Sequence, residues 1–154
     1  MGTYLNELWR QGDELTIIDT APVLTALRGW EKEIGHICWC DEIDTYADDE
    51  GTIDVAAILS DYGWYLDAAS DCGDLDYHAA QPPFEVFTWK GDKIGESWNA
   101  VLDAIALGVD PTKTTEIFCD MEGEIFAVRI HGGRAIELGV EMVVIEPSTH
   151  KEQP

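Results

Sequence analysis

The sequence has no Lys or Arg between Lys32 and Lys90, and residues 33–89 carry fourteen Asp and Glu. Against nine basic and 31 acidic residues overall, this 57-residue stretch supplies −14 of a formal net charge of −22. A chain so short of cations is a poor ligand for nucleic acid or an anionic bilayer, because phosphate binding needs clustered Lys and Arg. Long apolar runs are also missing. None approaches the roughly 18 residues of a membrane-spanning helix, and Met1-Gly2-Thr3-Tyr4-Leu5-Asn6 lacks the charged and apolar regions of a secretory signal. Asn6 stands where a myristoylation signal for Gly2 wants Ser or Thr. The expected location is therefore the cytoplasm. Cysteine is scarce as well, and four in 154 residues without a secretory signal read as reduced thiols rather than a disulfide framework.

What is present excludes a disordered acidic tail. Hydrophobic residues make up 45% of the chain, with six Trp, five Tyr and four Phe, ample for one compact domain. Trp39, Ile43, Val55, Ile58, Leu59, Trp64 and Leu66 lie inside the acidic stretch itself, so its charge is expected on a folded surface. Self-repulsion on this scale opposes compaction and calls for a cationic partner or a very salty solvent. The uneven distribution favours the partner, since the other 97 residues hold 17 acids and all nine bases, only −8.

Along the chain, Leu5, Leu8 and Trp9 suggest a short helix over residues 4–11, followed by a strand over 14–19. Thr20 and Pro22 mark a helix start, Val23, Leu24, Leu27 and Trp30 give it an apolar stripe, and Gly35 stops it. Residues 36–41 read as a strand and 44–51 as an acidic loop. Val55, Ile58, Leu59, Tyr62 and Leu66 then recur at helical spacing, with Asp54 and Asp61 on the wet side. A second acidic loop follows over 67–76, and Gln81-Pro82-Pro83 is the candidate subdomain boundary. Beyond it come a strand over 84–89 and a helix carrying Trp98, Val101, Leu102 and Ile105, ended by Gly108 and Pro111. Three strands over 115–121, 125–130 and 135–145 turn at Glu122-Gly123 and Gly132-Gly133. In the last, Ile136, Leu138, Val140, Met142 and Val144 form the packing face, with a possible bulge at Gly139. The expectation is an α+β fold in a single domain over 1–147 with a disordered tail over 148–154. A C-terminal three-stranded antiparallel meander with added strands packs against two to four helices, and the acidic segment forms a helix-and-loop face.

Few constellations point to catalysis. His36, Cys38 and Cys40 alternate on one strand face, and Cys72 and His78 would complete a tetrahedral zinc site, but the spacing is unusual and buried Cys is common, so neither metal nor cofactor is expected. Asp71, Asp74 and Asp76 lack the spacing and distal Glu of a calcium loop. Asp76 with His78, and Asp120 with His131, have no nucleophile motif or phosphate loop beside them, so the chain is read as no enzyme. The aromatic residues Trp64 and Tyr65, set between Asp61 and Asp67, suit an interface, where Tyr and Trp anchor and carboxylates orient Arg and Lys.

The leading expectation is a binding protein that presents carboxylates to a basic nucleic-acid-binding groove. Duplex DNA carries one charge per roughly 1.7 Å of axis, so a fold fixing acids at comparable density competes for the same channel. In charge and size the chain resembles the small acidic inhibitors that phages and mobile elements encode against restriction or CRISPR enzymes, which implies a host cytoplasm and a basic nucleic-acid-handling partner. The expected contact set is Asp41, Glu42, Asp44, Asp48, Asp49, Glu50, Asp54, Asp61, Trp64, Tyr65, Asp67, Asp71, Asp74 and Asp76. An immunity protein or antitoxin that neutralises a basic nuclease toxin shares this physics. A small-molecule or enzymatic domain with a Trp and carboxylate pocket is the reading from another class.

Overall fold

The computed structural model describes residues 3–34, 42–62, 64–67, 82–88, 92–94, 97–141 and 143–146. Among the described residues, two antiparallel sheets and three α-helices make an α+β fold. The elements run β1 (Thr3–Gly12), β2 (Thr16–Ile17), α1 (Ala21–Ile34), a 3-10 turn (Ile43–Tyr46), α2 (Val55–Asp61), β3 (Trp64–Asp67), β4 (Phe84–Thr88) and β5 (Asp92–Ile94), then α3 (Ser97–Leu107), β6 (Thr114–Met121), β7 (Glu124–His131) and β8 (Arg134–Gly139). The larger sheet has the order β5-β1-β6-β7-β8 and the smaller β2-β4-β3. The C-terminal meander β6-β7-β8 is present, turning at Gly123 and at Gly132-Gly133, all at positive φ.

The N-terminal segment is a strand and not the helix its spacing suggests. Leu5 and Trp9 are four residues apart yet point to opposite faces, Leu5 buried and Trp9 56% exposed. The cause is a register shift between Glu7 and Trp9 in the pairing with β6, which inserts Leu8 as an unpaired residue. The bulge breaks the period of two and leaves apolar residues at i, i+3 and i+4, which mimics a helical stripe. At the end of this strand Gly12 takes φ +88°, and a Cβ there would lie 2.4 Å from the Thr114 carbonyl oxygen, so only glycine fits. The strand expected over 14–19 shrinks to Thr16–Ile17, while α1 follows the expected stripe with Val23 and Leu27 buried. Its start is capped by Asp19, whose Oδ1 accepts from the Ala21 N–H at 3.0 Å, so the carboxylate takes the place expected of the Thr20 hydroxyl.

The core lies between the sheets. Trp98 of α3 stacks on Trp64 of β3, centroids 5.8 Å apart, and meets Phe126 of β7 edge-on at 6.4 Å, so one side chain joins the two sheets. Arg10 makes the second link. Its Nε and Nη2 donate to Glu7 at 2.6 and 2.8 Å, its Nη1 donates to the Val86 carbonyl at 2.8 Å, and its guanidinium lies 4.6 Å from the centre of the Phe87 ring.

Two further expectations change. The period through Tyr62 is helical, but α2 ends at Asp61, and Leu66 belongs to β3, paired with Val86. Strand β8 ends at Gly139 rather than 145, and its phase is reversed. Phe126, Val128 and Ile130 of β7 face the helices and sit opposite Gly139, Glu137 and Ala135, so Ile136 and Leu138 lie on the other face. The strand expected over 36–41 and most of the loop over 67–76 lie outside the described residues. No helix among the described residues is long and apolar enough to cross a membrane.

Candidate partner-binding surface

The acidic stretch is built on an apolar underside. Ile43, Val55, Ala56, Ile58 and Leu59 are buried, and Tyr46, Ile53 and Tyr62 pack against them, so the turn, loop and α2 are fixed to the core at several points. The Ile43 N–H donates to Glu31 Oε2 at 2.7 Å, tying the turn to α1. Arg28 of α1 pairs with Asp44 at 3.0 Å.

Within this frame the acids divide by role. Asp48 shapes the loop: its Oδ1 accepts from the backbone N–H groups of Glu50 and Thr52, each at 2.9 Å, and its own N–H donates to the Thr52 carbonyl. Gly51, at φ +84°, closes the turn. Ala47 and Ile53 bridge across its base, and Asp54 N–H donates to the Tyr46 carbonyl. Asp54 caps α2, its Oδ1 accepting from Ala57 N–H at 3.0 Å, which gives it a role in the fold of the helix. Asp61 accepts from the Tyr46 hydroxyl. Glu42, Asp49 and Glu50 are exposed, with no side-chain hydrogen bond or ion pair among the described residues.

The loop therefore holds Asp49 and Glu50 at its tip on a hydrogen-bonded turn, with Glu42, Asp44 and Asp61 exposed on the adjoining turn and helix. No basic residue occurs within residues 42–61, and Arg28 of α1 reaches them through Asp44. A loop backbone already fixed in place loses little conformational freedom on binding, which favours an anionic recognition surface.

Trp64 leaves the expected contact set. It is fully buried in its stack with Trp98 and is a core residue. Tyr65 and Asp67 lie on β3, paired with Phe87 and Glu85, but their side chains lie outside what is described. Asp41, Asp71, Asp74 and Asp76 are outside the described residues, as are His36, Cys38, Cys40, Cys72 and His78. Of the two acid/base pairs considered, His131 bonds through Nδ1 with the Thr114 hydroxyl and the Lys113 carbonyl, while Asp120 accepts from Gly123 N–H and shapes the β6–β7 turn. The two therefore have separate structural tasks.

A hollow of about 280 Å³ lies beside the acidic loop, lined by Tyr46, Asp48, Thr52, Asp54, Pro82 and Phe84 among others. It falls just below the usual range of about 300–1,000 Å³ for small-molecule sites. Asp48 and Asp54 at its wall each accept backbone hydrogen bonds that shape the chain. Sequence reasoning named both acids but could not separate them from Asp49 and Glu50. The available signals were Asp54 directly before an apolar helical run, the pattern of a cap, and Asp48 three residues before Gly51, the pattern of a turn.

No protein-family model, curated protein or solved structure matches this chain.

Proposed function

We propose that this protein is an acidic inhibitor that occupies the basic nucleic-acid-binding groove of another protein, as an anti-restriction or anti-CRISPR protein of a phage or mobile element does. The observation that carries the reading is the ordered loop over residues 47–54, in which Asp48 forms the turn and holds Asp49 and Glu50 outward. A halophile's acidic coat needs hydration but no such local concentration, and here −14 of the −22 net charge falls in one base-free stretch of 57 residues. Capture of a groove lined with Lys and Arg follows from long-range attraction, and retention is helped by a loop backbone that is already ordered.

The direct test is displacement of a labelled DNA duplex from a panel of restriction endonucleases and CRISPR effector nucleases. The expected result is concentration-dependent displacement from at least one member, with kinetics competitive with DNA. Inhibition that leaves the duplex bound, or displacement equal to that caused by an unrelated protein of similar net charge, contradicts the reading. Neutralisation of a nuclease toxin rests on the same surface and is separated from it by adding toxins to the panel.

A further inference from the structure

We infer that a second copy of this chain docks on the free edge of β8, through antiparallel pairing of residues 134–146 with the same residues of its partner. Strand β8 ends the five-stranded order, so its outer edge has no neighbouring strand among the described residues. Beyond Gly139 the chain continues with Val143, Val144 and Ile145, which are 71%, 98% and 80% exposed. An apolar extension running on from an open strand edge is a template for strand pairing.

The sequence selects a second copy as the occupant because it is self-complementary in one register. Centred on Val140, antiparallel pairing sets Arg134 opposite Glu146 and Ile136 opposite Val144, both on one face. The other face sets Ala135 opposite Ile145 and Glu137 opposite Val143. Two-fold symmetry repeats each pair, so an Arg134–Glu146 ion pair closes both ends of the ladder. A slip of one residue places Leu138 opposite Glu141 and Arg134 opposite Ile145, which loses the charge match and mixes the faces.

The monomer has room on the matching side. A hollow of about 210 Å³ lies between α3 and the β7–β8 pair, lined by Trp98, Leu102, Phe126, Ala135 and Glu137 among others. Ile145 and Val143 of the second copy, opposite Ala135 and Glu137, lie along its open side and exchange exposure for apolar contact. The interface is independent of the carboxylate loop, so failure of either proposal leaves the other standing.

Sedimentation of the full chain over a concentration series at physiological ionic strength tests the proposal. Wild type is expected to move from 17.1 kDa toward twice that mass as concentration rises. Val144→Asp is expected to remain monomeric, and Arg134→Glu to raise the dissociation constant at least about tenfold. Adding Glu146→Arg to the Arg134→Glu chain restores dimerisation. All three positions are exposed, so far-UV circular dichroism of every variant matches wild type at concentrations where wild type is monomeric. A wild type that stays at 17.1 kDa throughout, or single variants that dimerise as tightly as wild type, overturns the inference. Failure of the charge swap to rescue overturns the register.

Discussion

Trp64 stacks on Trp98 with centroids 5.8 Å apart and planes inclined by 17°, which locks the small sheet to α3 from inside the acidic stretch. Replacing Trp64 with Ala empties a fully buried site and is expected to cost about 3–5 kcal/mol in urea unfolding. Trp64→Phe costs less. An alanine variant as stable as wild type would remove Trp64 from the core and reopen it as a contact residue.

Two carboxylates are expected to move stability in opposite directions with pH. Asp103 of α3 is exposed, and partial desolvation pushes its carboxyl up, so its charged form opposes folding slightly. Its contribution is present below the ordinary aspartate value and is lost as pH rises through the folded value. Asp103→Asn is therefore expected to raise the melting temperature slightly near pH 7, with the gain vanishing in acid. Glu116 is held low by hydrogen bonds from Gln11 and Arg129. Its contribution is present above the ordinary glutamate value and fades as pH falls through the folded value, so Glu116→Gln is expected to lower melting near pH 7 and not in acid. Melting curves of both variants from pH 3 to pH 8, an interval of about five units around the carboxylate range, check the signs.

Cys119 faces the helices from β6 and is fully buried, and burial pushes its thiol up to about 12. The thiolate is the reactive form, so Cys119 is expected to resist a thiol reagent at pH 8, about the pH of ordinary labelling, until the protein unfolds. Mass mapping after labelling with and without urea reads this directly. Rapid native labelling of Cys119 would contradict its placement in the sheet.

The α+β class, helices α1 and α3 and the meander were legible because apolar periodicity and turn glycines agree there. Where the reading failed, local pattern and tertiary setting diverge. The bulge between Glu7 and Trp9 imitates helical spacing, and no sequence signal marks it. Strand β8 alternates cleanly, yet its apolar side faces away from the helices because α3 meets Ala135 and Glu137 at the sheet's edge. At the candidate site, charge density identified the segment, but a carboxylate that shapes a turn and one that stands free have the same composition. Only hydrogen-bond geometry separates Asp48 and Asp54 from Asp49 and Glu50.

The most direct test of the proposed inhibitor uses those free carboxylates. The variant E42K/D49K/E50K reverses three exposed charges while leaving the Asp48 turn and the Asp54 cap in place. With a nuclease from which wild type displaces DNA, stopped-flow association is measured from low salt to physiological ionic strength, where the Debye length is about 8 Å. The expected result is an association rate at least about tenfold slower at low salt, a gap that narrows as salt rises, and unchanged melting. Equal rates for wild type and variant at every salt concentration would contradict recognition by this surface.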